Sequence, residues 1–391
     1  MRSFGENMKG IMAGASPVSD KVSVVRQMSL DPKIVNTRGM LDTDVSNRNG
    51  NSNLYCPSEL LNPFTVRHSD PPRSSMQSTQ QKHLIPVNGL SKPLFGSGVD
   101  KSIAYMISDD FIFRAEHDGV LEKIDTEKEI AIVKYTNGKT DIIDLSEIVS
   151  KNSNGGFYIS NQKQLLIKEG QTFKANQILA KNPNYFKGDN SDNIIYTTGR
   201  LSKIAVANLD GTMEDSSMIS KRLSKDMTAK ITMKKEVNLG LNSNIDFLIK
   251  KGANVKTGDD LVVFDTSFED QSINVLLGDL GNDIEELNKN TLHSKYTGRI
   301  VDVMIYYNHP IEEYTPSVQK ILKEYIAKNK DKVNYINNNI DKDNLRLINL
   351  KQTEQVEGGR IKGTDVDGLL IEVYIEYEDD LSVGRLIYCR L

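Results

Sequence analysis

The sequence contains two cysteines, Cys56 and Cys389, among 391 residues. This number excludes a disulfide scaffold and is typical of a protein in a reducing, cytosol-like compartment. Long apolar runs are missing too. No run approaches the roughly 18 residues of a membrane-spanning helix, and the first residues lack the apolar centre of a secretory signal. We therefore expect a soluble, folded protein, and the length predicts two or three structural units.

The motifs of a self-contained active site are also absent. The sequence has no GxxxxGK[ST] phosphate loop, no HExxH or CxxC metal motif and no GxSxG nucleophile elbow. Its five histidines never approach metal-ligand spacing. An enzyme that is complete within this chain is therefore not expected.

The charges are unevenly distributed. The net charge of −4 argues against a protein that coats nucleic acid. Residues 1–95, however, contain eleven basic and seven acidic residues, so the remainder carries the negative excess. Contacts to anions are therefore expected at the front of the chain.

Beyond Ser102 the sequence is typical of short β-strands separated by turns. Asn137-Gly138 predicts a tight hairpin. Near the end, GLLIEVYIEYE alternates in polarity, which predicts a strand with Ile371, Val373 and Ile375 on one face.

An internal similarity links LIKEGQTFKANQILA, from Leu166, with LIKKGANVKTGDDLV, from Leu248. Gly170 and Gly252 fall at the same offset and permit a turn. The pattern predicts two small β modules with similar hairpins rather than a solenoid, which needs more copies.

Two helices are predicted. The first spans about Met213 to Leu223, where Thr212 and Asp215 have the spacing of a capping box. The second begins at Pro316 and has one apolar stripe. The stripe contains Val318, Ile321, Leu322, Tyr325 and Ile326.

Two polar stretches have the side chains needed to bind phosphates, bases or a metal ion. The first contains Arg67, His68, Asp70, Arg73, Gln77, Gln80, Gln81, Lys82 and His83. The second contains the adjacent acids Glu214 and Asp215, followed by Lys221 and Arg222. Composition alone favours a solvated loop for the first stretch and a helix start stabilised by acids for the second.

Both stretches resemble motifs of the β subunit of multisubunit RNA polymerases. PF, HSDPPRSSM from His68 and QKHLIP resemble the family's PFxxHDDANRALMGxNMQRQAVP. DGTMEDS from Asp210, with ISKRL, resembles GYNYEDAILISERL. SPVS with Arg26 is similar to NPLSE...RR, and the motifs keep the family's order over residues 16–384.

The sequence departs from the family at several positions. Ser69-Asp70 replaces two aspartates, Pro71-Pro72 replaces Ala-Asn, and His83 replaces a glutamine. This divergence, with no counterpart of the family's N-terminal lobe, resembles the split polymerases of very large bacteriophages. After Gly384 the resemblance stops, and there we favour an interrupted reading frame over a functional split.

The resemblance implies an α+β, β-dominated fold with part of a double-psi β-barrel and an inserted flap with barrel-sandwich-like hairpins. The implied division is a hybrid-proximal or fork segment at 1–100, a β-rich wall segment at 101–190, the first part of the barrel at 191–236, the flap at 237–341 and a truncated second part of the barrel at 342–391.

The resemblance also implies a nucleotidyltransferase that acts as a polymerase subunit and is inactive alone. Arg73 is expected to reach the triphosphate of the incoming nucleotide, and Gln81 and Lys82 to hold the product strand. Arg26 and Arg67 are expected among the nucleotide and RNA contacts.

Metal and partners follow from the same resemblance. Glu214 and Asp215 are expected beside the second of two Mg²⁺ ions, through water, while a partner β′ chain supplies the main ligands. Other implied partners are further β and β′ fragments, a promoter-specificity factor, the DNA template, the RNA transcript and nucleoside triphosphates, with no membrane. The implied location is the cytoplasm of an infected bacterium or the virion.

A second interpretation is a biotinyl or lipoyl carrier, or an efflux adaptor, since these proteins have similar hairpins. A carrier needs a modified lysine at a hairpin tip, and Met233-Lys234-Lys235 is the nearest match, with the wrong flanking residues. This interpretation leaves both polar stretches unexplained.

Overall fold

The computed structural model describes residues 8–14, 27–30, 32, 54–62, 76, 80–81, 84–107, 109–151, 156–188, 190–206, 218–266, 289–339 and 368–380. Over these ranges the fold is β-dominated, as predicted. No helix in the described ranges is long and apolar enough to cross a membrane.

The helices are short except for the last. They are α1 (Pro57–Leu61), α2 (Val99–Ser102), α3 (Lys221–Asp226) and α4 (Pro316–Asn339). The first strands are β1 (Ile112–Arg114), β2 (Gly119–Asp125), β3 (Ile130–Tyr135), β4 (Thr140–Asp144), β5 (Ile148–Lys151), β6 (Tyr158–Asn161), β7 (Gln164–Leu165), β8 (Thr172–Phe173) and β9 (Ile178–Lys181). The others are β10 (Phe186–Lys187), β11 (Ile195–Tyr196), β12 (Ala229–Leu239), β13 (Ser243–Leu248), β14 (Asn254–Val255), β15 (Asp260–Thr266), β16 (Lys289–His293), β17 (Gly298–Tyr307) and β18 (Leu369–Asp379).

The largest sheet has six strands in the order β14-β17-β18-β12-β6-β5. A four-stranded sheet has the order β4-β3-β2-β8, and two three-stranded sheets have the orders β1-β9-β7 and β13-β15-β16. Strands β12 and β18 pair over eleven residues, from Ala229 opposite Asp379 to Leu239 opposite Leu369. The segments that the sequence assigns to the two parts of a barrel are therefore adjacent, while a double-psi connectivity and a flap stay predictions.

Local sequence signals predicted several elements correctly. The turn between β3 and β4 contains Asn137-Gly138, and Gly138 has φ +85°, a conformation that suits glycine. In β18, Ile371, Val373 and Ile375 are fully buried, as their alternation predicts. Helix α4 begins at Pro316, and its predicted stripe packs against the largest core cluster.

Within the described part of the chain, the helix predicted over Met213 to Leu223 is confirmed only at its last three residues. Residues 218–220 are not helical, and α3 begins at Lys221. The reason is the cap, because the Ser220 hydroxyl accepts a hydrogen bond from Leu223 N at 3.1 Å. The predicted capping residues Thr212 and Asp215 lie outside the described residues.

The two similar hairpins belong to two larger units with the same strand pairing. Unit 1 consists of β1–β4 and β7–β9, and unit 2 of β12–β18. Gly170 N donates to Leu121 O at 2.7 Å in unit 1, and Gly252 N donates to Ile300 O at 2.8 Å in unit 2. Two β-bulges also correspond between the units. The bulge in the pair β1–β9 of unit 1 matches the bulge in the pair β16–β15 of unit 2. The bulge in the pair β2–β3 matches the bulge in the pair β17–β18.

The units differ in chain order. In unit 1 the strands run β1, β2, β3, β4, β7, β8, β9. By pairing, their counterparts in unit 2 are β16, β17, β18, β12, β13, β14 and β15. Unit 2 is therefore a circular permutation of unit 1. Unit 1 connects β3 to β4 through the Asn137-Gly138 hairpin, whereas their counterparts in unit 2, β18 and β12, are its last and first strands and are not connected by a hairpin.

Each unit has its own apolar core, and α4 joins them. Its first half packs on the core of unit 2 through Val318 and Leu322. Further along, Ile336 is buried with Ile130 and Ile142 of unit 1. A cavity of about 670 Å³ lies between α4 and the two units.

Candidate functional site

One of the seven predicted site residues lies within the described part of the chain. Gln81 lies within the described part of the chain, where it is half-buried and its carbonyl oxygen accepts a hydrogen bond from Leu84 N at 3.4 Å. The other predicted residues lie outside the described residues. They are Arg26, Arg67, Arg73, Lys82, Glu214 and Asp215.

The segments that follow the two polar stretches meet in space. Asn88 N donates to Thr228 O at 2.9 Å, and Gly89 N donates to Asp226 O at 2.8 Å. A third segment joins them, because Ser91 N donates to Gly199 O at 3.0 Å. We call residues 84–91, 199–206 and 218–230 the junction. It brings the chain that leaves Gln81 beside helix α3.

Gly89 allows this close approach. A Cβ at that position would lie 2.5 Å from Asp226 O and 2.9 Å from Asp226 Cβ, closer than real Cβ atoms come. A glycine is therefore needed for the two backbones to hydrogen-bond at this distance.

Arg200 ties the three segments of the junction together. Its Nη2 lies 3.0 Å from Asp226 Oδ2, and its Nη1 donates to Ser91 Oγ at 3.0 Å. Nearby, Lys187 Nζ donates to Leu90 O at 3.0 Å. The side chains of Arg200 and Asp226 are about one-third exposed, so we expect their ion pair to contribute little to the free energy of unfolding. Its main effect is to orient the three segments.

The junction is strongly basic. It contains six basic residues and one acid, Asp226, which is paired with Arg200. The remaining five cations are exposed: Lys203, Lys221, Arg222, Lys225 and Lys230. Such a surface attracts phosphate groups.

Sequence reasoning singled out Lys221 and Arg222 but missed Lys203 and Lys225. These lysines lie in the acidic remainder of the chain, so a count of charges along the sequence places anion contacts elsewhere. Folding brings them beside the segment that leaves Gln81, and no local pattern reveals that.

The junction and residues 92–95 beside it expose large apolar side chains. Leu94 and Phe95 are 78% and 76% exposed, and Ile204 and Val206 are 88% and 100% exposed. Apolar groups this exposed are typical of surfaces that another chain covers.

A metal site is not found in the described residues. They contain no group of three His, Cys, Asp or Glu residues that could hold an ion. Carboxylates are the ligands that Mg²⁺ prefers, but Glu214 and Asp215 lie outside the described residues. The predicted Mg²⁺ contact therefore stays a prediction.

The position of Lys234 argues against a carrier lysine. It lies in the middle of β12 rather than at a hairpin tip, and its Nζ donates to Glu372 Oε1 at 3.0 Å and to Glu236. Burial lowers the pKa of Lys234, but the hydrogen bonds and charges of the two carboxylates outweigh it and hold the pKa above its usual range. A lysine that carries a prosthetic group must instead be free and accessible.

No protein-family model matches the chain. It is 24% identical over 311 residues to the DNA-directed RNA polymerase subunit beta of Kosmotoga olearia, with 69% of this chain and 25% of that protein covered. The protein of the same name from Clostridium novyi is 25% identical over 342 residues, covering 79% of this chain and 26% of the relative. That of Acetivibrio thermocellus is 25% identical over 297 residues, covering 68% and 22%.

The chain therefore spans about a quarter of the length of these relatives. Their names support an RNA polymerase β-like chain. They agree with the resemblance found in the two polar stretches.

Proposed function

We propose that this chain is a fragment of the β subunit of a DNA-dependent RNA polymerase and contributes to RNA chain elongation. The observation that carries the proposal is its similarity to β subunits over about 70% of its length. The junction supports it independently, because it joins the segments that follow the two polymerase-like stretches and surrounds them with cations.

In this proposal Arg73 contacts the triphosphate of the incoming nucleotide. Gln81 and Lys82 hold the product RNA, and Arg26 and Arg67 belong to the nucleotide and RNA contacts. An arginine suits a triphosphate because its guanidinium makes charge-assisted, bidentate hydrogen bonds.

Glu214 and Asp215 are proposed to orient water around the second Mg²⁺ ion. Mg²⁺ keeps several of its waters, so two carboxylates beside it can act without direct ligation. When bound, the ions neutralise charge on the phosphates. The main ligands would come from a partner β′ chain.

The junction is proposed to hold phosphates of the nucleic acid close to these residues. Lys221, Arg222 and Lys225 lie on α3, whose backbone is hydrogen-bonded to the segment after Gln81. A phosphate on this surface would therefore lie beside the described ends of both polymerase-like stretches.

The assembly is proposed to be a split polymerase like those of very large bacteriophages, in infected cells or in the virion. Its other members would be further β and β′ fragments and a promoter-specificity factor. The exposed apolar side chains in and next to the junction support contact with another chain.

The proposal is tested by purifying the chain with its partners from its native source and measuring RNA synthesis. We expect a β′-like chain to co-purify, and the complex to incorporate nucleotides on a DNA template while the isolated chain does not. Co-purification without a β′-like chain, or activity of the isolated chain, would contradict the proposal.

A further inference from the structure

The cavity between α4 and the two units is separate from the junction and has a volume of about 670 Å³. Unit 1 contributes residues 126–129, between β2 and β3, and unit 2 contributes part of β17, the end of β13 and the chain that follows it. On α4 the lining residues extend from Ile321 to Val333, a rise of about 18 Å along the helix axis. The volume is within the range of small-molecule sites, and the extent along α4 favours an elongated ligand.

Charged side chains of both signs line the cavity. The lysines are Lys128, Lys250, Lys251, Lys328 and Lys332, and the acids are Glu127, Glu129, Asp302, Glu324 and Asp331. Lys251 Nζ donates to both carboxylate oxygens of Glu129, at 2.6 and 2.8 Å. Lys332 Nζ lies 3.3 Å from Asp144 Oδ1, and Lys128 Nζ lies 3.3 Å from the acid three residues before it.

These ion pairs leave the wall acidic in balance. Of the three acids that they use, Glu129 belongs to the described wall and the other two lie outside it. The pairs therefore neutralise three lysines of the wall but one of its acids. A cavity with this balance of charge favours a positively charged ligand.

Asp302 is the side chain best placed to hold such a ligand. Among the charged residues of the described wall it alone is buried, with 5% of its surface exposed. Tyr325 of α4 also lines the cavity and is close enough to Asp302 to sense its charge. Burial raises the pKa of Tyr325, and the charge of Asp302 raises it further, to about 12, so this wall of the cavity stays neutral at the phenol. A carboxylate has about four lone-pair positions, so Asp302 can accept an ammonium N–H in addition to its other hydrogen bonds.

The same wall also contains aliphatic side chains. They come from the region of β13, from β17 and from α4, and they are Leu248, Ile249, Val303, Ile305, Ile321 and Val333. Aliphatic side chains suit methylene groups, and carboxylates at separate places suit separate ammonium groups. A methylene chain that carries an ammonium group at each end meets both requirements.

We propose that the cavity binds a linear aliphatic polyamine, with one ammonium group on Asp302 and the methylene chain along α4. An anion suits the wall less, because carboxylates already hold three of its five lysines. A metal ion is not favoured either, since the described residues contain no group of three His, Cys, Asp or Glu that could hold one. The bound ligand would contact both units and α4 and would stabilise their arrangement. This binding belongs to the chain itself and does not rest on a role in RNA synthesis.

The test is calorimetric titration of the full, nucleic-acid-free chain with spermidine at fixed ionic strength. We expect saturable binding and a rise in the thermal midpoint. Asp302→Asn keeps the shape of the side chain and should weaken binding about ten- to a hundredfold, because it removes the charge from the hydrogen bond to the ammonium group. Val333→Phe keeps every charge and should weaken binding as well, because the larger side chain occupies part of the cavity. It also decides the test if Asp302→Asn fails to fold.

Asp246→Asn is the matched control, since it makes the same change at an exposed acid of β13 outside the described wall. It should bind spermidine as the wild type does. Wild-type affinity in both cavity variants, or an equal loss in all three variants, would overturn the proposal. Displacement of spermidine by magnesium chloride at the same ionic strength would overturn it too, since that result identifies a general counter-ion effect. If inorganic phosphate raises the thermal midpoint and spermidine does not, the lysines hold an anion and the assignment to a polyamine is wrong.

Discussion

Glu147 and Arg299 form a bidentate ion pair, with Glu147 Oε1 2.7 Å from Arg299 Nη2 and Glu147 Oε2 3.1 Å from Nη1. The pair connects the chain just before β5 with β17 in unit 2. Glu147 is buried and also accepts a hydrogen bond from Ser160, whereas Arg299 is partly exposed.

Arg299→Ala should lower the free energy of unfolding by about 2 kcal/mol, because it leaves the buried Glu147 carboxylate without its counter-charge. Arg299→Lys should cost less, since it keeps the charge but loses one of the two hydrogen bonds. Denaturant unfolding measures both. Arg222→Ala, which removes an exposed arginine from α3, serves as control and should be neutral. Equal values for the alanine variants would contradict the prediction.

Tyr374 should make stability depend on alkaline pH. Burial raises the pKa of its phenol above the usual value, and the hydrogen bond to Glu372 Oε2 raises it further. A tyrosine whose folded pKa is raised contributes stability that is complete below its unfolded pKa, about 10, and lost as the pH rises above it. Tyr374→Phe should therefore show a shallower fall in unfolding free energy above about pH 10. Parallel curves for wild type and variant would show that Tyr374 titrates alike in both states.

Gly89→Ala should disrupt the junction, because the new Cβ would lie 2.5 Å from Asp226 O. We expect faster hydrogen exchange at the Asn88 and Gly89 amides, and weaker assembly with polymerase partners. Gly240→Ala is the control, since no atom lies within 4 Å of the Cβ position at Gly240. If both variants exchange alike at Asn88, the contact with Asp226 is not what holds this segment.

A flexible insertion between Asn137 and Gly138 should be tolerated. Unit 2 is open at the corresponding place, so the shared strand arrangement does not require this connection. Ten glycine and serine residues there should cost about 1 kcal/mol, the entropy of a longer loop. The same insertion after Lys128 should cost more, because Lys128 lies over the Tyr335 ring of α4 at 5.0 Å. Thermal unfolding compares the two insertions, and a larger loss at Asn137 would contradict the equivalence of the units.

Arg73→Ala in the assembled polymerase should raise the apparent KM for nucleotides, since a charge-assisted contact to phosphate is worth about 1.5 to 3 kcal/mol. Template binding should change little. Arg48→Ala, in the same basic front part of the chain, controls for the loss of charge. Normal elongation by the Arg73→Ala variant at limiting nucleotide would contradict the triphosphate contact and favour the interpretation of this stretch as a solvated loop.

The elements that were predictable from the sequence depend on neighbours along the chain. The Asn137-Gly138 hairpin, the stripe of α4 and the alternation in β18 are patterns within a few turns or one strand. The start of α3 was not predicted, because the sequence offers more than one residue that could cap this helix. The residue that caps it is Ser220, whose Oγ accepts a hydrogen bond from Leu223 N.

The larger repeat was not predictable, although its hairpins were. Strand β2 precedes its hairpin in unit 1, and its counterpart β17 follows the hairpin in unit 2, so an alignment in chain order cannot match them. The corresponding residues also differ in chemistry, as Ile143 and Lys235 do. The hairpins are offset by one residue as well, since Leu166 N donates to Leu179 O whereas Ile249 N donates to Leu261 O.

The permuted order also determines when each unit can fold during synthesis. All strands of unit 1 are made by Lys181, and they pair with neighbours that precede them or follow shortly after. Strand β12 is made early in unit 2, yet its long partner β18 ends at Asp379. Until β18 has been synthesised, the edge of β12 that pairs with it has no partner. An unpaired strand edge is a template for pairing with another chain. Unit 1 should therefore be protease-resistant on the nascent chain while unit 2 is still cleaved. Slow translation between β12 and β18 should increase aggregation.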